Sequence, residues 1–567
     1  MEIIMKVSEI PYRRYTLEEG KELFAKIDAT LKNAASVDDL LAARDMAKEL
    51  IVEYATAASL SHCRFTLNTR DEFYQAEVAY YDEAGPHFQE MLTAYASAML
   101  DSPYRAEAEK RIGSRIFKSY EVSRRAFSPA IIEESQQENA LVTEYSKFMS
   151  EMVFEFDGQE MPLSVLRGKL EDGDRNVRRA AAEAIGRGLE KHRDELDGIY
   201  DRLVKIRDAM AKKMGYLNFV ELGYYRMGRM DYDAAMVREF RENVARDLVP
   251  AVAAVKKSLA AELGITDLKY YDDAVYEDGE AAKPILSTDE IFSAARAMYR
   301  DMDPAIGDFM ESMYKAEAFD VTSRDGKWGG GYCTSFPKYK QPFILANFNG
   351  SSGDIDVITH EFGHALAAHC VYEGGDIELD VGGMETAECH SMSMEFLAWP
   401  YMDKFFGKNA DKYRRKHLLS ALTFIPYGVI VDEFQHNVYE HPEYTPAERK
   451  EMYIALEKKY RPYMTCDGIP YLEEGTRWQF QMHIYETPFY YIDYCLAQTV
   501  AINFLLLSQK DYHTALTRYL AFVRAGGTLP FGDLVERAGL PSPFRAGSLS
   551  EMAKEVVALA ESLRDRK

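Results

Sequence analysis

The chain has 567 residues, too many for one compact core, so two or more lobes are expected. Hydrophobic residues at 47% and charged residues at 28% describe a soluble globular protein. The net charge of −24, from 68 basic and 92 acidic residues, argues against nucleic acid and anionic membrane as partners.

The opening segment, MEIIMKVSEIPYRRYTLEEG, lacks an extended apolar run, so no secretory signal is expected. Long helical patterns follow. LLAARDMAKELIVEYATAASL and NVRRAAAEAIGRGLEKHRDELDGIYDRLVKIRDAMAKKM carry apolar residues at helical spacing and are rich in Ala, Leu, Glu, Lys and Arg. Turn-rich breaks fall at 155–162, 171–176 and 276–284. No solenoid-type repeat is visible. The segment KWGGGYCTSFPKYKQPFILANFNG, residues 327–350, breaks the helical pattern. GGYCTSF and FILANF read as a hairpin around PKYKQP, and an exposed edge there would suit an extended peptide.

The stretch HEFGHALAAH, His360 to His369, comes next. An α-helix turns about 100° per residue, which puts His360 and His364 about 40° apart on one face. Two neutral imidazoles so placed can grip one Zn²⁺. Glu361 lies about 100° round, beside the metal, where a base acting on metal-bound water belongs. His369 falls on the opposite side from His360 and reads as a packing or surface residue. Ile355, Ile358, Phe362 and Leu366 form the buried back of this helix, and Asp354 is the expected N-cap.

A catalytic zinc takes three protein ligands and keeps a place for water. The longer pattern H-E-x-x-H-x-x-G-x-x-H fails here, because Ala367 and Cys370 stand where Gly and His are required. The third ligand must come from 373–399, EGGDIELDVGGMETAECHSMSMEFLAW, where glycine pairs suggest a mobile loop and a second helix starts near Glu385 or Thr386. Glu378, Glu385, Glu388, His390 and Glu395 are the candidates. On a helix, Glu388, Ser391 and Glu395 share a face, so Glu388 can ligate with Ser391 and Glu395 beneath it, while His390 points about 200° away.

Further on, HIYETPFYYIDY, residues 483–494, gathers His483, Tyr485, Tyr490, Tyr491 and Tyr494. Such N–H and O–H donors can stabilise an oxyanion. His436 and His441 are expected to pack near a helix end without a metal role. TVAINFLLLS is too short to span a bilayer. Six cysteines without C-x-x-C spacing suit reduced thiols, and a cytoplasmic protein is expected.

HEFGHALAAH together with ETAECHSMSMEFLAW resembles the thimet-oligopeptidase family of zinc peptidases, in particular its oligoendopeptidase F branch. YCTSFPKYKQPFILANFNG and HIYETPFYYIDYCLAQ extend the resemblance, which covers about residues 200–567. It implies His360, His364 and Glu388 as ligands of one Zn²⁺ per chain, Glu361 as general base, and Glu395 at the last position of the E-x-x-S-x-x-x-E pattern. It places His483 as a transition-state residue and favours Tyr491 and Tyr494 among the tyrosines, with Tyr490 as a competitor. The interval from His483 to Tyr494 is a residue shorter than in the animal relatives. The implied fold is mainly α and two-lobed, with a deep substrate groove and a small β-sheet beside the zinc-binding helix. Residues 1–200 would form the N-terminal helical lobe and 201–567 the catalytic domain. The implied activity is endopeptidase cleavage of short unstructured peptides by Glu-activated zinc-bound water. Two other readings are weighed beside it. One is an exopeptidase, since GGMET distantly resembles an aminopeptidase motif and helical zinc carboxypeptidases share H-E-x-x-H. The other is a helical binding scaffold with a relic motif.

Overall fold

The structure, a computed structural model, describes residues 5–276, 281–379 and 382–564. The fold is mainly α, with two small sheets. The expected break at 276–284 lies partly outside the described residues, at 277–280.

Near the N-terminus, helices α1 (Val37–Leu67), α2 (Glu72–Asp101) and α3 (Ser114–Ala126) build a core of their own. Local chemistry starts them. The Ser36 hydroxyl accepts the Asp39 N–H at 3.3 Å, and the Asp71 carboxylate accepts those of Phe73 and Tyr74. Leu40, Ala47, Phe88, Met99 and Phe117 are buried between the three helices. The other core runs through the rest of the chain.

The break at 155–162 is a hairpin. Strands β1 (Val153–Phe156) and β2 (Gln159–Pro162) pair across Asp157-Gly158, both at positive φ, the backbone that a two-residue turn of this kind requires. A three-stranded sheet follows, ordered β3-β5-β4, from β3 (Phe319–Thr322), β4 (Tyr332–Phe336) and β5 (Gln341–Phe348). The expected hairpin is the antiparallel β4–β5 pair, with Phe336 opposite Gln341. The parallel strand β3 was not expected; it covers the inner side of β5 and leaves β4 at the edge.

Helix α4 (Gly353–Gly374) lies against β4 and β5 and carries HEFGHALAAH. Its expected back is buried: Ile355, Ile358 and Phe362 are fully enclosed, and Tyr299 stacks on Phe362 at 3.9 Å. Asp354 does not cap the helix. Its carboxylate accepts the N–H groups of Asn349 and Gly350 and so closes the turn entering α4, while Ser352 holds the N-cap position. Helices α5 (Met384–Leu397), α6 (Ala410–Glu440) and α7 (Tyr491–Lys510) complete the surroundings of the site. TVAINFLLLS sits inside α7, which is long and apolar enough to cross a membrane. Within the protein 89% of its most apolar window is buried, so its hydrophobicity serves the core.

One buried ion cluster ties the middle of the chain to the site. Arg207, fully buried, donates to Glu138 at 2.6 Å, to the Tyr439 hydroxyl and to the Tyr485 carbonyl, two residues past His483. Arg226 takes the other Glu138 oxygen at 2.6 Å. Burial pushes the Glu138 carboxyl up, but Arg226 and Arg207 outweigh it and hold it at about 2. Its stabilising contribution is therefore complete above the unfolded carboxyl pKa of roughly 4.3 and is lost as pH falls from there through about 2. Glu138→Gln is expected to cost about 3 kcal/mol at neutral pH, because Arg207 keeps its charge and loses its counter-charge. A lowered urea midpoint at pH 7, with the difference from the parent shrinking in acid, would be the result. An unchanged midpoint would refute it.

Candidate metal centre

On α4 the rings of His360 and His364 stand 5.0 Å apart at 78°, on the face away from the buried back. Opposite them, α5 brings Glu388. Its Oε2 is 3.4 Å from His360 Nε2 and 3.7 Å from His364 Nε2. The three donor atoms all lie within 4.8 Å of one another, the single such cluster among the described residues. Tetrahedral zinc with bonds of about 2.0–2.1 Å would separate its donors by roughly 3.3 Å, so these atoms fit one ion closely. The other Glu388 oxygen, Oε1, accepts from the Tyr490 hydroxyl at 2.6 Å, and the Ser391 hydroxyl faces Oε2 at 3.3 Å. The carboxylate thus offers one oxygen to the two imidazoles while Tyr490 pins the other.

Gly363 decides how near α5 comes. A Cβ there would lie 2.6 Å from the Cα of Ser391 and 2.7 Å from the His390 carbonyl oxygen. Only a bare backbone lets the two helices cross this closely, and the crossing delivers Glu388 to the histidines.

The charges around the histidines favour a cation. Three carboxylates, Glu361, Glu388 and Glu395, converge here. Burial drives the His364 pKa down to about 4, which leaves a neutral ring with a free lone pair. Burial would raise Glu388, but His364, His360 and Tyr490 hold it at about 2. Burial pushes Glu361 up to about 7, with Glu388 and Glu395 adding to the effect and His360 opposing it. Glu361 itself is only 8% exposed, beside the ligand group and facing the backbone of Cys333 on β4. Its carboxyl can accept and return a proton near neutrality.

The other candidates are committed elsewhere. Glu378 is held by Arg44 and accepts from the Tyr120 and Tyr95 hydroxyls at 2.7 and 3.1 Å. Arg44 also grips Asp376, and Leu379 enters the N-terminal core. The loop leading from one histidine helix to the glutamate helix is therefore docked on α1, α2 and α3. Glu385 is buried, with the Tyr232 hydroxyl 3.4 Å away. His390 is fully buried and packs edge-on to Phe522, off the ligand face. Glu395 accepts from His360 Nδ1 at 2.7 Å and lies behind the ligand. His369 stacks on Phe309 at 4.2 Å. His436 bonds Tyr224 at 3.0 Å, and His441 caps the end of α6 and stacks on Tyr444.

The aromatic segment closes the other side. Gln481, whose carbonyl oxygen accepts from the Tyr427 hydroxyl at 2.7 Å, turns its amide nitrogen to His483 Nδ1 at 2.9 Å. That leaves the proton on Nε2, where the Tyr494 hydroxyl lies 3.4 Å away. The Tyr490 and Tyr494 rings lie 4.7 Å apart, tilted by 35°. Tyr491 is buried, its ring against Phe424, Tyr427 and His483. So Tyr490 is the tyrosine whose hydroxyl meets a ligand, Tyr494 the one whose hydroxyl meets His483 Nε2, and Tyr491 the one whose ring packs beneath His483. Neither Gln481 nor Tyr427 was singled out in the sequence, since an amide and one more tyrosine in a chain with 38 carry no distinguishing pattern.

With this geometry in view, comparisons with known proteins agree. Residues 7–127 match the peptidase M3 N-terminal domain, and residues 169–554 match peptidase family M3. The fold superposes on that of PZ peptidase A with an inhibitor at TM-score 0.94 and 40% identity, over 99% of this chain and all of that one. An oligoendopeptidase F candidate from Bacillus anthracis str. Ames aligns at TM-score 0.89 and 37% identity, over 99% of each chain. Oligopeptidase PepF of Bacillus subtilis (strain 168) is 26% identical over 249 residues, which span 40% of this chain and 35% of that relative's length.

Proposed function

The chain belongs to peptidase family M3, and from that premise we propose that it is a zinc-dependent endopeptidase that hydrolyses internal bonds of short, unstructured oligopeptides. His360, His364 and Glu388 would hold one Zn²⁺. The observation that carries this reading is the convergence of their three donor atoms within 4.8 Å, with the buried Glu361 carboxylate beside them.

Bound zinc supplies a Lewis acid that acidifies a water and offsets charge on the scissile carbonyl. The chain's own residues supply the rest. Glu361 takes one proton from the attacking water as its oxygen bonds to the carbonyl carbon. It returns that proton to the amide nitrogen as the C–N bond breaks. The His483 Nε2–H and the Tyr494 hydroxyl donate to the oxyanion that forms between these steps. Tyr490 holds Glu388, and Tyr491 supports the His483 ring from below. The edge of β4 can pair with an extended peptide backbone and present it along α4. In this proposal residues 1–200 form one lobe and 201–567 the catalytic domain, with a groove between them that admits short chains and excludes folded proteins. A cytoplasmic location belongs to the same proposal and is supported by six unpaired cysteines.

The test is to incubate the protein with short peptides and one folded protein, with and without a chelator, and to read the products by mass spectrometry. Internal cuts confined to the peptides and abolished by chelator are expected. Single-residue trimming would favour an exopeptidase, and absence of cleavage by zinc-loaded protein would favour a binding scaffold. His483→Gln is expected to lower kcat about 100-fold with zinc content unchanged, as for loss of one oxyanion donor. A fall confined to KM would instead make His483 a substrate-binding group.

A further inference from the structure

Behind His360 lies a buried chain of side chains that the proposed reaction leaves unused. The Glu395 carboxylate bridges two histidines: Oε1 accepts from His360 Nδ1 at 2.7 Å, and Oε2 accepts from His417 Nε2 at 2.8 Å. On its far side His417 Nδ1 accepts the indole N–H of Trp399 at 3.0 Å. Phe396 stacks on the His417 ring at 4.6 Å and 19°. Trp399 is 2% exposed, and the Arg414 guanidinium donates twice to its carbonyl oxygen.

The direction of each bond follows from the one group whose role cannot vary. An indole nitrogen donates and never accepts. Its hydrogen occupies the Nδ1 lone pair of His417, so that ring carries its proton on Nε2, facing Glu395. Glu395 then accepts on both oxygens, and the proton of His360 is drawn to Nδ1. His360 Nε2 is then the ring nitrogen that would face a metal, on the side of His364 and 3.4 Å from Glu388 Oε2. Three segments distant from the ligand motif in sequence or direction, the end of α5, the turn at Trp399 and the N-terminal part of α6, thus favour one tautomer of His360.

We propose that His417 and Trp399 are positioning residues for the metal: acting through Glu395, they hold His360 in the tautomer and orientation that present Nε2 to the ion. This inference rests on the reading of His360 as a ligand and extends it to two residues outside the ligand motifs.

The decisive measurement is zinc affinity, taken without reference to turnover. Metal-stripped full-length protein and three variants would be titrated with zinc against a chromophoric chelator. Thermal unfolding of each metal-free protein would serve as the fold control. His417→Ala removes the second donor to Glu395 and is expected to weaken zinc binding about 10- to 100-fold, the usual effect of losing an outer-shell partner. His417→Gln offers an amide N–H near the position of Nε2 and is expected to recover most of that loss. Trp399→Phe keeps the aromatic bulk but removes the N–H, which lets His417 adopt its other tautomer; a weakening of about 3- to 10-fold is expected. The ring of His417 borders a cavity of about 360 Å³, so the amide has room. If His417→Ala does not fold, the comparison of His417→Gln with Trp399→Phe carries the test alone. Equal zinc affinity in parent, His417→Ala and Trp399→Phe would overturn the proposal, as would His417→Gln binding as poorly as His417→Ala, which would mark a packing role. A parent that takes up no zinc would instead refute the metal reading of the whole site, and this inference would fall with it.

Discussion

Glu361→Gln is expected to keep its zinc and to lower kcat/KM for a short peptide by about a thousand-fold or more. Glu361 contributes no donor atom to the ligand group, so the amide leaves His360, His364 and Glu388 untouched. The two side chains have the same shape, and the amide should fit the buried space beside Cys333. What is lost is proton transfer. A carboxylate can take a proton from water and return it to an amine, whereas a carboxamide can do neither at neutral pH. Both halves of the reaction pass through this one group, so no second residue restores either. Zinc content by atomic absorption, set beside steady-state kinetics on an internally quenched peptide, checks the expectation. Near-normal turnover with full zinc would remove Glu361 from the proton path.

His364→Ala is expected to lose both metal and activity. The imidazole supplies one of three donors and is kept neutral by burial, with its lone pair free. Alanine leaves two donors on an ion that ordinarily takes three from the protein. Zinc should then wash out on dialysis, and turnover should drop at least about a thousand-fold, to background, because the water loses its acidifying ion. Paired with Glu361→Gln, this variant separates two kinds of failure: chemistry without loss of metal, and loss of metal itself. Retention of a full equivalent of zinc would strike His364 from the ligand set.

The loop between α4 and α5 gives these results a structural setting. It leaves the histidine helix at Gly375, docks on the N-terminal core through Arg44, Asp376, Glu378 and Leu379, and returns to begin the glutamate helix at Met384. Glu378, an acid of a type that can ligate a metal, is thereby spent on holding this loop against the N-terminal core.

How much of this was legible follows the range of the forces involved. The pairing of His360 with His364, the buried back of α4 and the place of Glu361 are set by a repeat of about 3.6 residues, and any reader of the sequence can count it. The β4–β5 hairpin was legible for the same reason, because turn residues and β-prone runs act locally. The hairpin at Asp157-Gly158 read only as a break, since its strands are four residues each and lack a clear alternation.

Counting within one helix could not choose among Glu378, Glu385, Glu388, His390 and Glu395, and the family resemblance was needed to favour Glu388. Tertiary structure separates them. Gly363 lets α5 cross α4 at backbone contact, Arg44 removes Glu378, Tyr232 faces Glu385, and the crossing turns His390 toward Phe522. The same holds for Tyr490, which meets Glu388 across 102 residues, and for His417 and Trp399, which reach His360 only through Glu395. Helical periodicity fixes which residues share a face, because it depends on neighbours a few positions away. Which faces meet depends on steric fit between segments far apart in the chain, and that exists only once they pack.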